Sequence, residues 1–186
     1  MAVLPHGPQF DVRIDDASPS RLLFRANHGE QALDPKGTAR PSVADVIAGP
    51  ESHSWRIQTT AFELPFPSQL RLVSSADPSV PPGFDLIGPS GELIYFQGPA
   101  SQSAFSLEHL VARGERLQQH DPGPPLSVTV TYAHGDQRWW QVRNVVPLST
   151  GLAVLVALQT THQPTPSQLA QLVGVASSVQ QFQPAA

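Results

Sequence analysis

The sequence predicts an α+β fold in which an antiparallel sheet of about six strands packs against two long helices. The first observation is the alternation of apolar and polar residues in several runs, of which 126–133 is the clearest. The second is the recurrence of apolar residues three and four positions apart in two longer segments, about 104–119 and 166–182. Because these helical segments separate groups of strands rather than single strands, we expect the strands to be antiparallel.

The first 50 residues predict an extension made of a β-hairpin and a short helix. Residues 9–26 alternate on both sides of the turn sequence "DASPS", which predicts the hairpin. A loop is expected over 27–41, after which "SVADVIAG" offers Ser42 as an N-cap and Gly49 as a C-terminal stop for a short helix. The linker "PESHS" follows, so we expect an extension over 1–50 and a main α+β domain over 51–186.

The main domain opens with strands whose ends are marked by proline and glycine. A strand that begins at Trp55 and alternates through Phe62 is expected to end at "LPFP", because proline cannot donate a ladder hydrogen bond. "QLRLVSS" predicts a second strand, and "FDLIGPSGELIYFQG" predicts a hairpin around the loop "GPSG". The return arm matches E-x-x-Y-x-Q-G, the pattern cut by a viral protease that removes purification tags. Since both faces of this arm are apolar, we expect it to be paired inside the sheet and interpret the match as coincidence.

The first long helix is predicted over about 104–119, after which the chain returns to strands. Its expected apolar face consists of Leu107, Leu110, Val111, Gly114 and Leu117. "LSVTVTYA", "RWWQVRNVVP" and "LAVLVALQTT" follow in order, separated by short turns, and predict a three-stranded meander. The last of these is apolar on both faces, so we expect it in the middle of a sheet that is covered on both sides.

The second long helix is predicted over about 166–182. Thr165 is its expected N-cap, Pro166 its first residue, and Gln168 completes a capping box. The expected buried stripe is Leu169, Leu172, Val173, Ala176 and Val179.

Composition narrows the function classes. The 186 residues are 40% apolar and 14% charged, with a net charge of −4 and no basic run, which disfavours nucleic acid as a partner. The absence of cysteine excludes disulfides, thiolate nucleophiles and cysteine-ligated metals. The longest apolar run, "GLAVLVAL", is shorter than a membrane span, and the first residues lack the pattern of a secretory signal. We therefore expect a cytoplasmic protein that does not bind a membrane.

Motifs for catalysis and cofactor binding are missing from the sequence. None of the seven histidines forms H-x-x-x-H, and no glycine-rich phosphate loop is present. His120 with Asp121, and His134 with Asp136, place a carboxylate beside an imidazole, but both pairs lie in turn-like sequence where such residues are common. The prediction is a protein that is not an enzyme, with no catalytic, metal or cofactor residues, unless at least two of these four side chains converge in one cleft.

The adjacent tryptophans Trp139 and Trp140 are the strongest candidates for a binding surface. Neighbouring strand residues point to opposite faces, so at most one of them is expected to enter a given core layer. Both could simply be packed under helices, but Trp, Tyr and Arg also concentrate binding energy at protein interfaces. The candidate interface therefore consists of Trp139, Trp140, Arg138, Arg143 and Tyr95.

Residues 55–183 resemble the PsbP/Mog-like superfamily, which includes an extrinsic photosystem subunit, the Ran-binding import factor Mog and bacterial chaperones of secreted toxins. The resemblance is carried by "FELPFPSQLRLVSS", "GELIYFQGP", "RWWQVRNVV" with "GLAVLVALQTT", and "VASSVQQF". It implies an antiparallel sheet with helices packed on it and no shared active site. The implied role is binding a protein partner.

Two functional hypotheses follow. The first is a non-enzymatic cytoplasmic protein-binding module, such as an adaptor, a secretion-toxin chaperone or an immunity protein, whose partner is another protein or a second copy of itself. The alternative is a module for a small ligand or lipid, with a pocket between sheet and helix lined by residues such as Tyr95, Trp140 and Tyr132.

Overall fold

A computed structural model describes residues 55–59, 61–67, 69–74, 84–148 and 151–181, together with the backbone of five strands between residues 2 and 48. The chain divides into two compact units: residues 1–89 with 179–186, and residues 90–178. In chain order the strands are β1 Ala2–Val3, β2 Asp11–Asp15, β3 Arg21–Ala26, β4 Gly29–Leu33, β5 Ala44–Ala48, β6 Trp55–Thr59, β7 Phe62–Pro65, β8 Arg71–Ser74, β9 Phe84–Ile87, β10 Leu93–Ser101, β11 Arg116–Asp121, β12 Leu126–His134, β13 Gln137–Pro147, β14 Leu152–Thr160 and β15 Gln180–Gln181. The two α-helices in the described part of the chain are α1 Leu107–Leu110 and α2 Pro166–Ser178.

The first unit contains two runs of antiparallel strands. One has the order β1-β5-β6-β7-β15, and the other has the order β4-β3-β2-β8-β9. Its described side chains include a fully buried apolar set: Ile57, Phe62, Leu64, Leu72 and Leu86. The single strand predicted from Trp55 up to "LPFP" is broken into β6 and β7. The Thr59 hydroxyl accepts hydrogen bonds from the backbone N–H groups of Ala61 (3.2 Å) and Phe62 (3.0 Å), which stabilises a turn between them.

The N-terminal hairpin predicted over 9–26 is confirmed, since β2 and β3 pair antiparallel with Val12 opposite Phe24. The predicted short helix over 42–49 is wrong. This segment forms β5, which pairs with β1 and β6. Val46 and Ile47 are β-branched and favour a strand. Pairing with two neighbouring strands therefore outweighs the weak helix-capping signals at Ser42 and Gly49. The predicted loop over 27–41 contains β4. The sequence-based division between residues 50 and 51 stays a prediction.

The second unit is built on a five-stranded antiparallel sheet with the order β11-β12-β13-β14-β10, counted within residues 90–178. The three-stranded meander predicted over 126–161 is confirmed as β12, β13 and β14. Six consecutive residues of β14, from Ala153 to Leu158, are buried, as expected for a strand that is apolar on both faces. A cluster of Phe105, Leu110, Val128, Val145, Ala153, Leu155 and Ala157 forms the core on one face.

The long helix predicted over 104–119 is wrong. The segment forms a 3-10 turn at Gln102–Phe105, the single helical turn α1, an irregular turn, and then β11. Gly114 has φ +94°, which is incompatible with a continuous right-handed helix. Leu117 is 44% exposed on β11 rather than buried on a helix. The apolar spacing fitted a helix, but a positive-φ glycine and pairing with β12 determine the structure of this segment.

Helix α2 begins where the sequence predicts. The backbone N–H of Gln168 donates to the Thr165 hydroxyl (3.3 Å), and the backbone N–H of Thr165 donates to Gln168 Oε1 (3.0 Å), so the capping box is confirmed. The helix ends at Ser178 rather than 182. Its predicted stripe is partly wrong, because Leu169 and Val173 are 37% and 58% exposed. The buried residues of the helix are Gln168, Leu172, Val175 and Ala176, and the helix contacts β13 and β14.

The predicted α+β class with two long helices is therefore wrong. Strands account for 54% of the structure, and only one helix in the described residues is longer than a single turn. The segment expected to cover the sheet as a first long helix instead adds an edge strand to it.

Candidate interaction surface

The strand register divides the side chains of the second unit between two faces of its sheet. Tyr132 lies opposite Trp139, and Tyr95 lies opposite Ala157, which is paired with Arg143. Side chains directly opposite each other share a face, as do residues two apart on one strand. We call the face that carries Tyr95, Tyr132, Trp139, Gln141 and Arg143 the network face. The face that carries Arg116, Thr131, Ala133, Arg138 and Trp140 is the pocket face.

A bidentate ion pair between Arg143 and Glu115 dominates the network face. Arg143 Nη1 donates to Glu115 Oε2 at 2.7 Å, and Nη2 donates to Oε1 at 2.5 Å. Both side chains are largely buried, with exposures of 11% and 10%. Arg143 Nη1 also donates to the carbonyl of Leu110 at the end of α1, and Glu115 Oε2 accepts from the backbone N–H of Ala112 at 2.8 Å. The pair therefore fixes the irregular segment after α1 against β13.

Gln141 connects this ion pair to two tyrosines. Its Oε1 accepts from the Tyr95 hydroxyl at 3.1 Å and from Arg143 Nε at 2.9 Å. Its Nε2 donates to Gln159 Oε1 at 2.8 Å and to the Tyr132 hydroxyl at 3.3 Å. Every hydrogen-bonding position of this buried amide is occupied, as is usual when a polar group is removed from water.

The network shifts the protonation equilibria of its members. Burial raises the pKa of Tyr95, and the nearby Arg143 charge offsets only part of that rise. Burial also raises the pKa of Tyr132. Burial by itself would lower the pKa of Arg143, but hydrogen bonding to Glu115 and the charges around it outweigh this, so the pKa is raised. Both phenols therefore stay neutral and Arg143 stays charged at physiological pH.

An open pocket of about 300 Å³ lies at the outer end of the β11–β12–β13 meander. Its lining residues are Gly114, Arg116, Thr131, Tyr132, Ala133 and Arg138. Thr131, Tyr132 and Ala133 belong to β12, and the two arginines come from β11 and β13. Thr131 is buried, and its hydroxyl accepts from Gln118 Nε2 at 3.1 Å.

The outer end of the meander exposes apolar and aromatic surface on both faces. Trp139 and Trp140 are both half-buried, one on each face, and Leu117 is 44% exposed. All six residues of β11 are exposed. This end contrasts with β14, whose central residues are completely covered.

The five candidate interface residues separate into two groups. Arg138 is exposed, and Trp139 and Trp140 are half-buried at the outer end of the meander. Tyr95 and Arg143 instead contribute their polar atoms to the network around Gln141. Arg116 and Glu115 were missed as site residues, because both had been assigned to a helix that does not form. The sequence signal that points to them is Gly114, which favours a turn at that position.

The two pairs of histidine and aspartate do not converge. His120 lies opposite Val128, six residues along β12 from His134, which corresponds to roughly 20 Å. No group of three or more metal-ligating side chains occurs in the part of the chain that the structure describes. The condition set for a catalytic or metal site at these four residues is therefore not met.

The strand register separates the three residues that the sequence suggested for a ligand pocket, Tyr95, Trp140 and Tyr132. The register places both tyrosines on the network face and Trp140 on the pocket face. Of these three residues, Tyr132 lines the open pocket described above, whereas Tyr95 and Trp140 do not.

Comparisons with known proteins add no relationship. A scan against models of protein families finds none that matches the chain, and a search of curated proteins finds no significant similarity. Within the described residues, no helix is long and apolar enough to cross a membrane.

Proposed function

We propose that this chain is a non-enzymatic cytoplasmic protein-binding module whose interface is the outer end of the β11–β12–β13 meander. The observation that carries the proposal is the partial exposure of Trp139 and Trp140 at the one end of this sheet where Arg138 and Leu117 are also exposed. Protein interfaces are enriched in tryptophan and arginine, and exposed aromatic surface of this kind is a common mark of a binding site.

Rigid support below the exposed residues strengthens the proposal. Trp139 is two residues from Gln141, whose hydrogen bonds to Tyr95, Tyr132, Gln159 and Arg143 hold the adjacent part of β13 in place. Trp140 is followed on its face by Val142, which is 6% exposed. Anchors that are already ordered lose little conformational entropy on binding, so they contribute more to affinity than mobile side chains do.

Affinity purification from the native host tests the proposal with the wild-type chain and three variants. We expect a co-purifying protein with the wild-type chain and with Val173→Ala, which changes an exposed apolar residue on α2. Trp140→Ala and Arg138→Glu are expected to lose that protein, since truncating an interface anchor costs on the order of 2 kcal/mol, about thirtyfold in affinity. Arg138 is exposed, so the second variant is not expected to affect folding.

Sedimentation of the purified chain separates the two kinds of partner. A dimer that dissociates in Arg138→Glu but not in Val173→Ala would identify the partner as a second copy of the chain. A chain that stays monomeric and recovers no protein, or recovers the same proteins with all variants, would contradict the proposal.

A small-ligand module remains the second candidate, and the open pocket of about 300 Å³ favours it. Two arginines lie among the residues that line this pocket, so it suits a small anion better than an uncharged lipid. The resemblance to the PsbP/Mog-like superfamily stays a hypothesis, and of the two long helices expected from the sequence only α2 forms within the described residues.

A further inference from the structure

We propose that the pocket on the pocket face binds a carboxylate side chain presented by an acidic segment of another protein. This inference rests on the proposed function, because it names the chemistry of the partner that the meander would bind. It depends on the joint placement of Arg116 and Arg138 on one face, beside Trp140.

The strand register brings the two arginines together. Arg116 lies opposite Thr131, Arg138 lies opposite Ala133, and these two β12 residues are neighbours on the same face. Two strand spacings and two residues along the strand put the Cα atoms of the arginines roughly 12 Å apart. Two extended arginine side chains can close that distance from both sides onto one planar anion.

The floor of the pocket leaves room for a ligand group. Gly114, Thr131 and Ala133 are small, and a Cβ atom added at Gly114 would meet nothing within 4 Å. The resulting space is open to solvent and measures about 300 Å³, much more than a carboxylate needs and enough for a whole acidic side chain.

Neither guanidinium in the pocket has an ion-pair partner among the described residues. Arg56 and Arg143, in contrast, each pair with a glutamate at 2.5 Å. Two like charges that line one pocket repel each other, and an anion between them would remove that repulsion and add charge-assisted hydrogen bonds. Glu115, the nearest acid in sequence to Arg116, is already engaged by Arg143 on the opposite face.

Two further observations favour a peptide segment that lies across the face rather than one that extends the edge of the sheet. The β11–β12 ladder is irregular between Leu117 and Gln119, and a bulge of this kind discourages the addition of another strand. Trp140 lies opposite Thr131 on the same face, where its ring can cover apolar parts of a bound segment next to the acidic group.

The test uses the full chain and a hexaglutamate peptide as the probe, with hexaglutamine and inorganic phosphate as comparison ligands. We expect hexaglutamate to bind, to shift the backbone amide resonances of Thr131 and Ala133, and to bind more weakly as salt increases. Arg116→Gln/Arg138→Gln is expected to weaken binding by at least about tenfold, because charge-assisted hydrogen bonds are lost. Arg113→Gln, which removes an exposed arginine that does not line the pocket, is expected to change affinity by less than about twofold.

Several outcomes would overturn the inference. Equal losses in Arg113→Gln and in the double variant would indicate non-specific charge attraction. Phosphate binding at the same residues with the affinity of hexaglutamate would assign the pocket to free anions, and binding of hexaglutamine would remove the need for a carboxylate. If hexaglutamate does not bind but the native partner is still lost in Trp140→Ala, the proposed function stands and only the acidic partner class fails.

Discussion

Breaking the Arg143–Glu115 ion pair should destabilise the protein strongly, whereas removing both charges should not. Glu115→Gln leaves a guanidinium that is only 11% exposed without its carboxylate. Removing one member of a buried pair typically costs about 3–5 kcal/mol. Arg143 keeps the Leu110 carbonyl and Gln141 Oε1 as acceptors, so we expect the lower limit, about 3 kcal/mol.

Arg143→Met should cost at least as much. It leaves the Glu115 carboxylate, 10% exposed, with the Ala112 N–H as its donor among the described residues, and it removes a donor from Gln141 Oε1. In the double variant Glu115→Gln/Arg143→Met no charge stays buried. Its loss should therefore be smaller than the sum of the single losses by about 2–3 kcal/mol, the upper range for residues in direct contact.

Equilibrium unfolding in urea, together with thermal melts, measures these differences. For a chain of this size, 3 kcal/mol corresponds to a fall in Tm of roughly 6–12 °C. Arg138→Met is the matched control, since Arg138 is exposed and forms no ion pair among the described residues; we expect a change within about 0.5 kcal/mol. Single losses that add within about 0.5 kcal/mol in the double variant would refute the coupling that the geometry implies.

Three further results are expected. Tyr95 and Tyr132 are the only tyrosines, and both have a raised pKa, so near-ultraviolet absorbance should show less than half of the phenolate at pH 10 in the native protein. The stability that the two neutral phenols contribute is present below their unfolded pKa of about 10 and is lost as pH rises through their folded pKa values. Tyr95→Phe should reduce this loss of stability at alkaline pH. An unchanged pH profile in that variant would contradict the burial of Tyr95. Gly98→Ala should destabilise the protein by about 1–3 kcal/mol, measured by unfolding in urea, because φ of Gly98 is +109° and the new Cβ would lie 3.0 Å from the Ala153 carbonyl oxygen. Gly135→Ala is the control and should cost less, because its new Cβ meets no neighbour. Equal costs in the two variants would argue against the close approach at Gly98. The tag protease should cut after Gln97 in the denatured chain but not in the native one, because β10 is paired with β14 there; rapid native cleavage would show that this pairing opens easily.

Local signals predicted the meander and the start of α2 correctly. Alternation over 126–133 requires only neighbouring residues, and the capping box joins Thr165 to Gln168 within one helical turn. The prediction of a first long helix was wrong, although its apolar spacing was a local signal of the same kind. The structure of that segment is determined by the positive φ of Gly114 and by the ion pair between Glu115 and Arg143, which are 28 positions apart.

The candidate surface was predictable only in part, for the same reason. Adjacent tryptophans on a strand must point to opposite faces, so partial exposure of at least one was foreseeable. The pocket depends instead on which β12 residues lie opposite Arg116 and Arg138, and register between distant strands is not encoded in either strand alone. Arg143 was predicted as an interface residue because arginine is enriched at interfaces. Its buried ion pair was not foreseeable, because Glu115 was predicted to lie on a helix.

The four-residue helix α1 owes its shape to residues far from it in the chain. A single turn is too short to persist by itself in water, and its last carbonyl is held by an arginine of β13. The segment from 102 to 115 is therefore not expected to keep this structure outside its own sheet. Cut out as a peptide or grafted onto another sheet without Arg143, it should lose its structure.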